Sequence, residues 1–211
     1  MPDAADLPQD PATAPDEPPR YRREPVSFTR VDPASTFGRD APLVVEIGSG
    51  RGENVVAAAE RHPDWNFLAL EVWVPGVAQT LVQARATGVT NVRLAVANAT
   101  ETLATALEPE SVHELWTWFP DPWHKKRHQK RRLVTVPFTE LVARVLEPGG
   151  TWRLATDWAD YGEQMAEVVA DSPHVEGGPV ERFEGRVLTK FEQKGLAKGR
   201  VIHDLAARPT R

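Results

Sequence analysis

The chain has 211 residues, 41% of them hydrophobic, which suits one ordinary domain with a real core, with or without a tail. It contains no cysteine, which excludes a disulfide framework, thiol chemistry and a thiolate zinc site. The formal net charge is −5, yet Asp3, Asp6, Asp10, Asp16 and Glu17 account for all of it, so residues 20–211 sum to zero and can carry a basic face.

Residues 1–19 are rich in Pro, Ala and acid, and cannot bury enough apolar surface to offset their ordering entropy. They are expected to be a disordered tail. They have no basic start and no apolar middle, so they do not read as a signal peptide. No apolar run approaches the length of a membrane span, and the protein is expected to be soluble and cytoplasmic. Residues 20–40, with Arg20, Arg22, Arg23 and Arg30, form a basic lead-in, either an RNA contact or a solvated arm. The main domain is expected over 41–211.

From residue 42 short β-like runs alternate with helical patterns. LVVEI (43–47) reads as a buried strand, followed by a glycine-rich turn and a helix at VVAAAERH (55–62). FLALEV (67–72) is the second strand, with a helix through about Thr87, and NVRLAV (91–96) is the third. A short helix at 101–107 precedes HELWTWF (113–119), the fourth strand. Phe138, Leu141, Val142 and Val145 mark a helix that ends at Glu147-Pro148-Gly149-Gly150. TWRLAT (151–156) is the fifth strand, and Tyr161, Met165, Val168 and Val169 mark another helix. After a Gly/Pro loop, RVLTKF (186–191) and VIHDLAA (201–207) are expected to be the last strands. This alternation predicts an α/β domain, a mostly parallel sheet with helices on both faces.

Two motifs carry chemistry. In VVEIGSGRG (44–52) a strand runs into Gly48, Gly50 and Gly52, where the backbone can turn tightly and approach a ligand. The dinucleotide fingerprint needs a third glycine where this chain has Glu53, which counts against a dehydrogenase. Glu46 suits a ligand bearing ammonium and sulfonium charge, and Glu71, ending the second strand, can accept both ribose hydroxyls. Asn98 follows the third strand. It either accepts from an adenine amino group or caps a helix.

FPDPWHKKRHQKRR (119–132) is the most specific segment. Pro120 and Pro122 restrict the loop that carries Asp121. Lys125, Lys126, Arg127, Lys130, Arg131 and Arg132 then follow beside aromatic residues. A charge run is usually a solvated face, but next to a cofactor crevice it reads as a phosphate-binding patch. His124 and His128 have no local third ligand, so no metal is expected.

These motifs, with ATDW (155–158) and TKFEQKG (189–195), resemble the motif series of the bacterial tRNA guanine-N7 methyltransferases, the TrmB family. The resemblance covers roughly residue 25 onward. It implies the Rossmann-like class I S-adenosylmethionine-dependent methyltransferase fold, seven strands with the last antiparallel. It implies cofactor contacts from Glu46, Glu71 and Asp121, joined by Asn98, where the family usually has Asp. Asp121 is the implied catalytic residue. Lys125, Asp157, Thr189, Lys190, Phe191 and Glu192 match substrate-binding positions, and the implied substrate is the guanosine at position 46 of the tRNA variable loop. Asp157 and Glu192 could accept from the guanine N1–H and amine, although Asp157 could equally cap the helix at 158–170. Lys125 and Lys190 would hold phosphates. The expected assembly is a monomer or homodimer. The rival readings are a small-molecule methyltransferase and an inactive RNA-binding protein on the same scaffold.

Overall fold

The computed structural model describes residues 31–211. The acidic tail and residues 20–30 of the lead-in lie outside the described residues. After a short helix α1 (Pro33–Phe37), β1 (Leu43–Ile47) leads through α2 (Glu53–Arg61) to β2 (Asn66–Glu71). Next come α3 (Val74–Thr87), β3 (Val92–Val96), α4 (Ala99–Thr105) and β4 (Val112–Trp118). A 3-10 helix at Lys126–Arg131 precedes α5 (Val136–Val145), β5 (Leu146–Thr156) and α6 (Ala159–Asp171). β6 (Val175–Pro179), α7 (Lys190–Leu196) and β7 (His203–Pro209) follow.

β1 and β2 are buried along their whole length, because helices cover both faces of the sheet. Alternation along β1 divides its side chains between two cores. Leu43, Val45 and Ile47 join Leu103 of α4, Phe138 and Val142 of α5, and Met165 and Val169 of α6. Val44 joins Val55, Val56, Ala58 and Ala59 of α2, together with Trp116 and Trp118 of β4. Glu46 shares the parity of Val44, on the side of α2.

The strand order is β3-β2-β1-β4-β5-β7-β6. β1 runs parallel to β2 and β4, and β7 is antiparallel to both β5 and β6. The winding direction reverses between β1 and β4. In open α/β sheets a crevice opens at the carboxyl ends of the strands at such a point, and here the glycine turn after β1 occupies it.

The expected strand at 186–191 is absent. Thr189 instead caps α7, its Oγ1 accepting from Glu192 N at 3.2 Å. Thr-x-x-Glu is the signature of a helix start, and it overrides the short β-like alternation before it. The missing strand is β6, inside the stretch expected to be a Gly/Pro loop. A Cβ on Gly177 would lie 2.1 Å from the Ala206 carbonyl oxygen, so glycine permits the close approach of β6 to β7. β5 also begins earlier than expected. Leu146 pairs with Val112, the chain bulges through Glu147–Gly150, and pairing resumes between Thr151 and Glu114.

The turn after β1 is pressed against α3. A Cβ on Gly76 would lie 2.3 Å from the Gly50 carbonyl oxygen. Gly76→Ala should therefore cost about 1–3 kcal/mol by overpacking. Gly178→Ala meets no atom within 4 Å and should stay within about 0.5 kcal/mol of wild type. Urea denaturation of both variants checks this, and a wild-type midpoint for Gly76→Ala would refute the close contact.

Candidate active site

Gly48, Gly50 and Gly52 all have positive φ, at 71°, 56° and 78°. L side chains rarely adopt that backbone, so the turn requires glycine. The Glu71 carboxylate braces it. Its Oε2 accepts from Gly50 N at 2.7 Å, and its Oε1 accepts from Val72 N and Trp73 N at 2.7 and 2.8 Å. A carboxylate offers about four lone-pair sites, so roughly one remains for a ligand.

Beside the turn lies a cavity of about 360 Å³. Glu46, Gly48 and Gly50 line one side, with Trp118 and Phe119 of the β4 end, and Arg186, Thr189, Lys190 and Phe191 line the other. Buried polar atoms are almost always hydrogen-bonded. Among the described residues, the side-chain exceptions are Glu46 Oε2, Ser49 Oγ, Asn54 Nδ2, Trp118 Nε1, Asn66 Nδ2, and Arg186 Nε and Nη1, the last in ion-pair contact with Glu192 only. All except Asn66 Nδ2 belong to residues that line this cavity. Donors and acceptors of both charge signs are thus gathered where a polar ligand can satisfy them. Burial pushes the Glu46 carboxyl up from 4.5 to about 8; the nearby Glu71 charge adds to this, while Asn54 and the Val55 backbone oppose it.

The FPDPW segment leaves the end of β4 next to this cavity. Phe119 N donates to the Ala155 carbonyl at 2.7 Å. Phe119 and Trp123 both have left-handed backbones, with φ of 51° and 41°. Between them Asp121 is exposed, two residues beyond the cavity wall at Phe119. Phe191 covers Phe119 with ring centroids 5.2 Å apart, and Lys190 N donates to Glu53 Oε2 at 2.8 Å. The start of α7 therefore closes over both the loop and the first turn of α2.

A family profile described as putative methyltransferase matches residues 40–205. A tRNA (guanine-N(7)-)-methyltransferase from Nocardioides sp. is 57% identical over 175 residues, which are 83% of this chain and 71% of that protein. One from Bifidobacterium longum subsp. infantis is 47% identical, covering 86% of this chain and 73% of the relative. The chain belongs to the tRNA (guanine-N(7)-)-methyltransferase family. Among solved structures, the 16S rRNA methyltransferase KamB superposes with a TM-score of 0.59 at 17% identity, covering 83% of this chain and 90% of KamB. That likeness carries the class I methyltransferase fold.

In this family member the cavity gathers Glu46, Gly48, Gly50, Thr189, Lys190 and Phe191 from the positions expected by sequence. Asn98 is the N-cap of α4, its side chain accepting from Glu101 N at 3.2 Å, as the capping alternative predicts. Asp157 does not cap α6, whose N-cap is Trp158 with no side-chain bond. Asp157 instead accepts from Arg200 Nη1 at 2.6 Å. Glu192 is 1% exposed and sits between two arginines, with Arg182 Nε and Arg186 Nη1 each 3.3 Å from its Oε1. Asp157 thus keeps acceptor sites on its second oxygen, whereas both oxygens of Glu192 face arginines. Lys125 is exposed at the start of the 3-10 helix, as a phosphate ligand requires. The His124 ring lies 5.8 Å from Trp158 and the His128 ring 5.9 Å from Trp123; among the described residues no acidic and histidine cluster forms a metal site.

Sequence reasoning missed Arg186, Ser49 and Asn54. Arg186 is 2% exposed, held by Asp204 at 2.8 and 2.9 Å, and burial lowers its pKa against the pull of Asp204 and Glu192. Its one sequence signal is a cation three residues ahead of the TKFE motif.

The raised Glu46 value has a sign that can be tested. The native carboxyl keeps a proton that the unfolded chain loses, so its stabilising contribution is complete below 4.5 and is lost as pH rises through about 8. Glu46→Gln should remove that decline from the pH profile of unfolding. A ligand ammonium beside Glu46 restores the carboxylate, so binding S-adenosylmethionine at about pH 6.5 should release close to one proton. Calorimetry in buffers of different ionisation enthalpy reads this release; heats independent of buffer would remove Glu46 from the ammonium.

Proposed function

We propose that this chain transfers the methyl group of S-adenosylmethionine to N7 of guanosine in tRNA, at position 46 of the variable loop, as its relatives' names and motifs suggest. The observation that carries the reading is the cavity at the β1 turn, where Glu46 Oε2 and Arg186 Nε are buried without a hydrogen bond, and from whose Phe119 wall the chain runs on into the exposed basic segment. An acid and a guanidinium in one cavity suit an amino-acid zwitterion, and the basic segment suits a phosphate backbone. The protein acts in the cytoplasm, as a monomer or homodimer.

When bound, S-adenosylmethionine supplies an electrophilic methyl on a sulfonium. Glu46 would hold its ammonium, Glu71 and the glycine turn its ribose, and Asn98 would stand toward its adenine. Guanine N7 carries a lone pair and no proton, so the chain need not supply a general base. Its work is alignment and the exclusion of water. Methylation makes the base cationic, and the fixed Asp121 carboxylate stabilises that charge as it develops. Lys125 and Lys190 hold phosphates. Asp157, whose second oxygen is left open by Arg200, and Glu192, held between Arg182 and Arg186, are the carboxylates offered to the guanine edge.

Incubation with bulk tRNA and labelled cofactor should give N7-methylguanosine in the variable loop; label elsewhere, or none, would refute the activity. Asp121→Ala should slow single-turnover transfer by about a hundred- to a thousandfold while tRNA still binds. Asp121→Asn should be nearly as slow if charge is what matters. A wild-type rate for the Ala variant would leave Asp121 as a loop-shaping residue.

Lys125, Lys126, Arg127, Lys130 and Arg131 are all exposed. Replacing them in pairs should weaken tRNA binding, each lost phosphate contact reducing the log–log salt slope by roughly one unit. Salt slopes unchanged in every pair would make the run a solvated face.

A further inference from the structure

Arg132 ends the basic run but differs from the rest of it. The five cations before it are exposed, whereas Arg132 is 4% exposed. Each nitrogen of its guanidinium is engaged. Nε donates to the Pro122 carbonyl at 2.8 Å, Nη1 to Gln164 Oε1 at 2.6 Å and Nη2 to Asp160 Oδ1 at 2.8 Å. Its Cζ stands 4.7 Å from the centroid of the Tyr161 ring. Tyr161 is fully buried, and its hydroxyl accepts from Val134 N at 3.2 Å. Gln164 and Asp160 lie on α6, so two arms of the fork grip that helix and the third grips the loop. The loop atom it grips is the carbonyl of the residue directly after Asp121. Phe119 and Trp123 hold unfavourable left-handed backbones on either side, so the loop needs an external anchor to stay in this shape.

We propose that Arg132 is a positioning residue: it fixes the Asp121 carboxylate at the reaction site by tying Pro122 to α6, and it binds no RNA phosphate. The proposal rests on the catalytic reading of Asp121 given above. A planar fork with three fixed directions does this; a lysine, with one point charge, cannot. The pair with Asp160, which is 47% exposed, anchors the fork from the solvent side.

The test is Arg132→Lys, which keeps the charge and loses the fork. Single-turnover methyl transfer at saturating cofactor and tRNA should fall by about ten- to a hundredfold, the scale of a small misplacement of a reacting group. tRNA affinity and its salt slope should not change. On an Asp121→Ala background the same substitution should cause no further loss, because its effect runs through Asp121. Asp160→Asn should reproduce a smaller loss from the other end of the fork. In Arg132→Gln, which removes the charge as well, a salt slope lower by about one unit makes Arg132 a phosphate ligand and overturns the proposal. So does a full additional loss on the Asp121→Ala background. If Arg132→Lys does not fold, Asp160→Asn and Gln164→Leu carry the test, and wild-type rates in both overturn it. A wild-type rate for Asp121→Ala overturns the reading of Asp121 and this proposal together. A slow Asp121→Ala with wild-type rates for Arg132→Lys and Asp160→Asn overturns this proposal alone.

Discussion

The Glu71 carboxylate accepts three backbone N–H groups from two crossover loops, and the geometry of the glycine turn beside the cavity follows from that convergence. Charge-assisted bonds of this kind are shorter and stronger than neutral ones. They hold Gly50 down on the start of α3, where only a glycine at 76 leaves room for it. With the turn fixed, Glu46 is sealed beneath it at 3% exposure. The same carboxylate adds its charge to the burial that keeps Glu46 protonated. One side chain thus shapes the turn and tunes the acid below it.

The other end of the site depends on where arginines are buried. Arg132 holds the FPDPW loop from the side of α6, and the Arg186 guanidinium lies 5.2 and 5.3 Å from the rings of Trp118 and Phe119 at its root. Asp204 and Glu192 neutralise Arg186 from β7 and α7. Buried ion pairs add little net stability, but losing one partner leaves an uncompensated charge, so such pairs resist rearrangement. The five cations that precede Arg132 are exposed instead.

The strands through β5 were legible because continuous apolar runs and the glycine turn are local signals. The cavity-lining residues Glu46, Gly48 and Gly50 were legible for the same reason. The stretch between α6 and β7 was not, although β7 itself, expected at 201–207, is found at His203–Pro209. β6 contains two glycines and a proline and is a strand only because β7 lies against it, a contact across about thirty residues that no local pattern reports. The TKFE segment looked extended until Thr189 was recognised as a cap. Arg132 read as one more cation in a run, since sequence spacing carries no information about which side chain faces inward. The arginine partners of Asp157 and Glu192 were hidden for the same reason: Arg200 lies 43 residues from its carboxylate.

The placement of β7 bears on how the molecule is made. It is the last strand in chain order, yet it lies between β5 and β6 rather than at an edge. On the ribosome β5 therefore waits with its edge open, and β6 has no partner strand until β7 emerges. Asp204 arrives on that same strand, so until synthesis has passed it Arg186 has Glu192 of α7 but lacks its bidentate partner. A nascent chain stopped short of β7 would present an open sheet edge, the surface on which chaperones and aggregation compete.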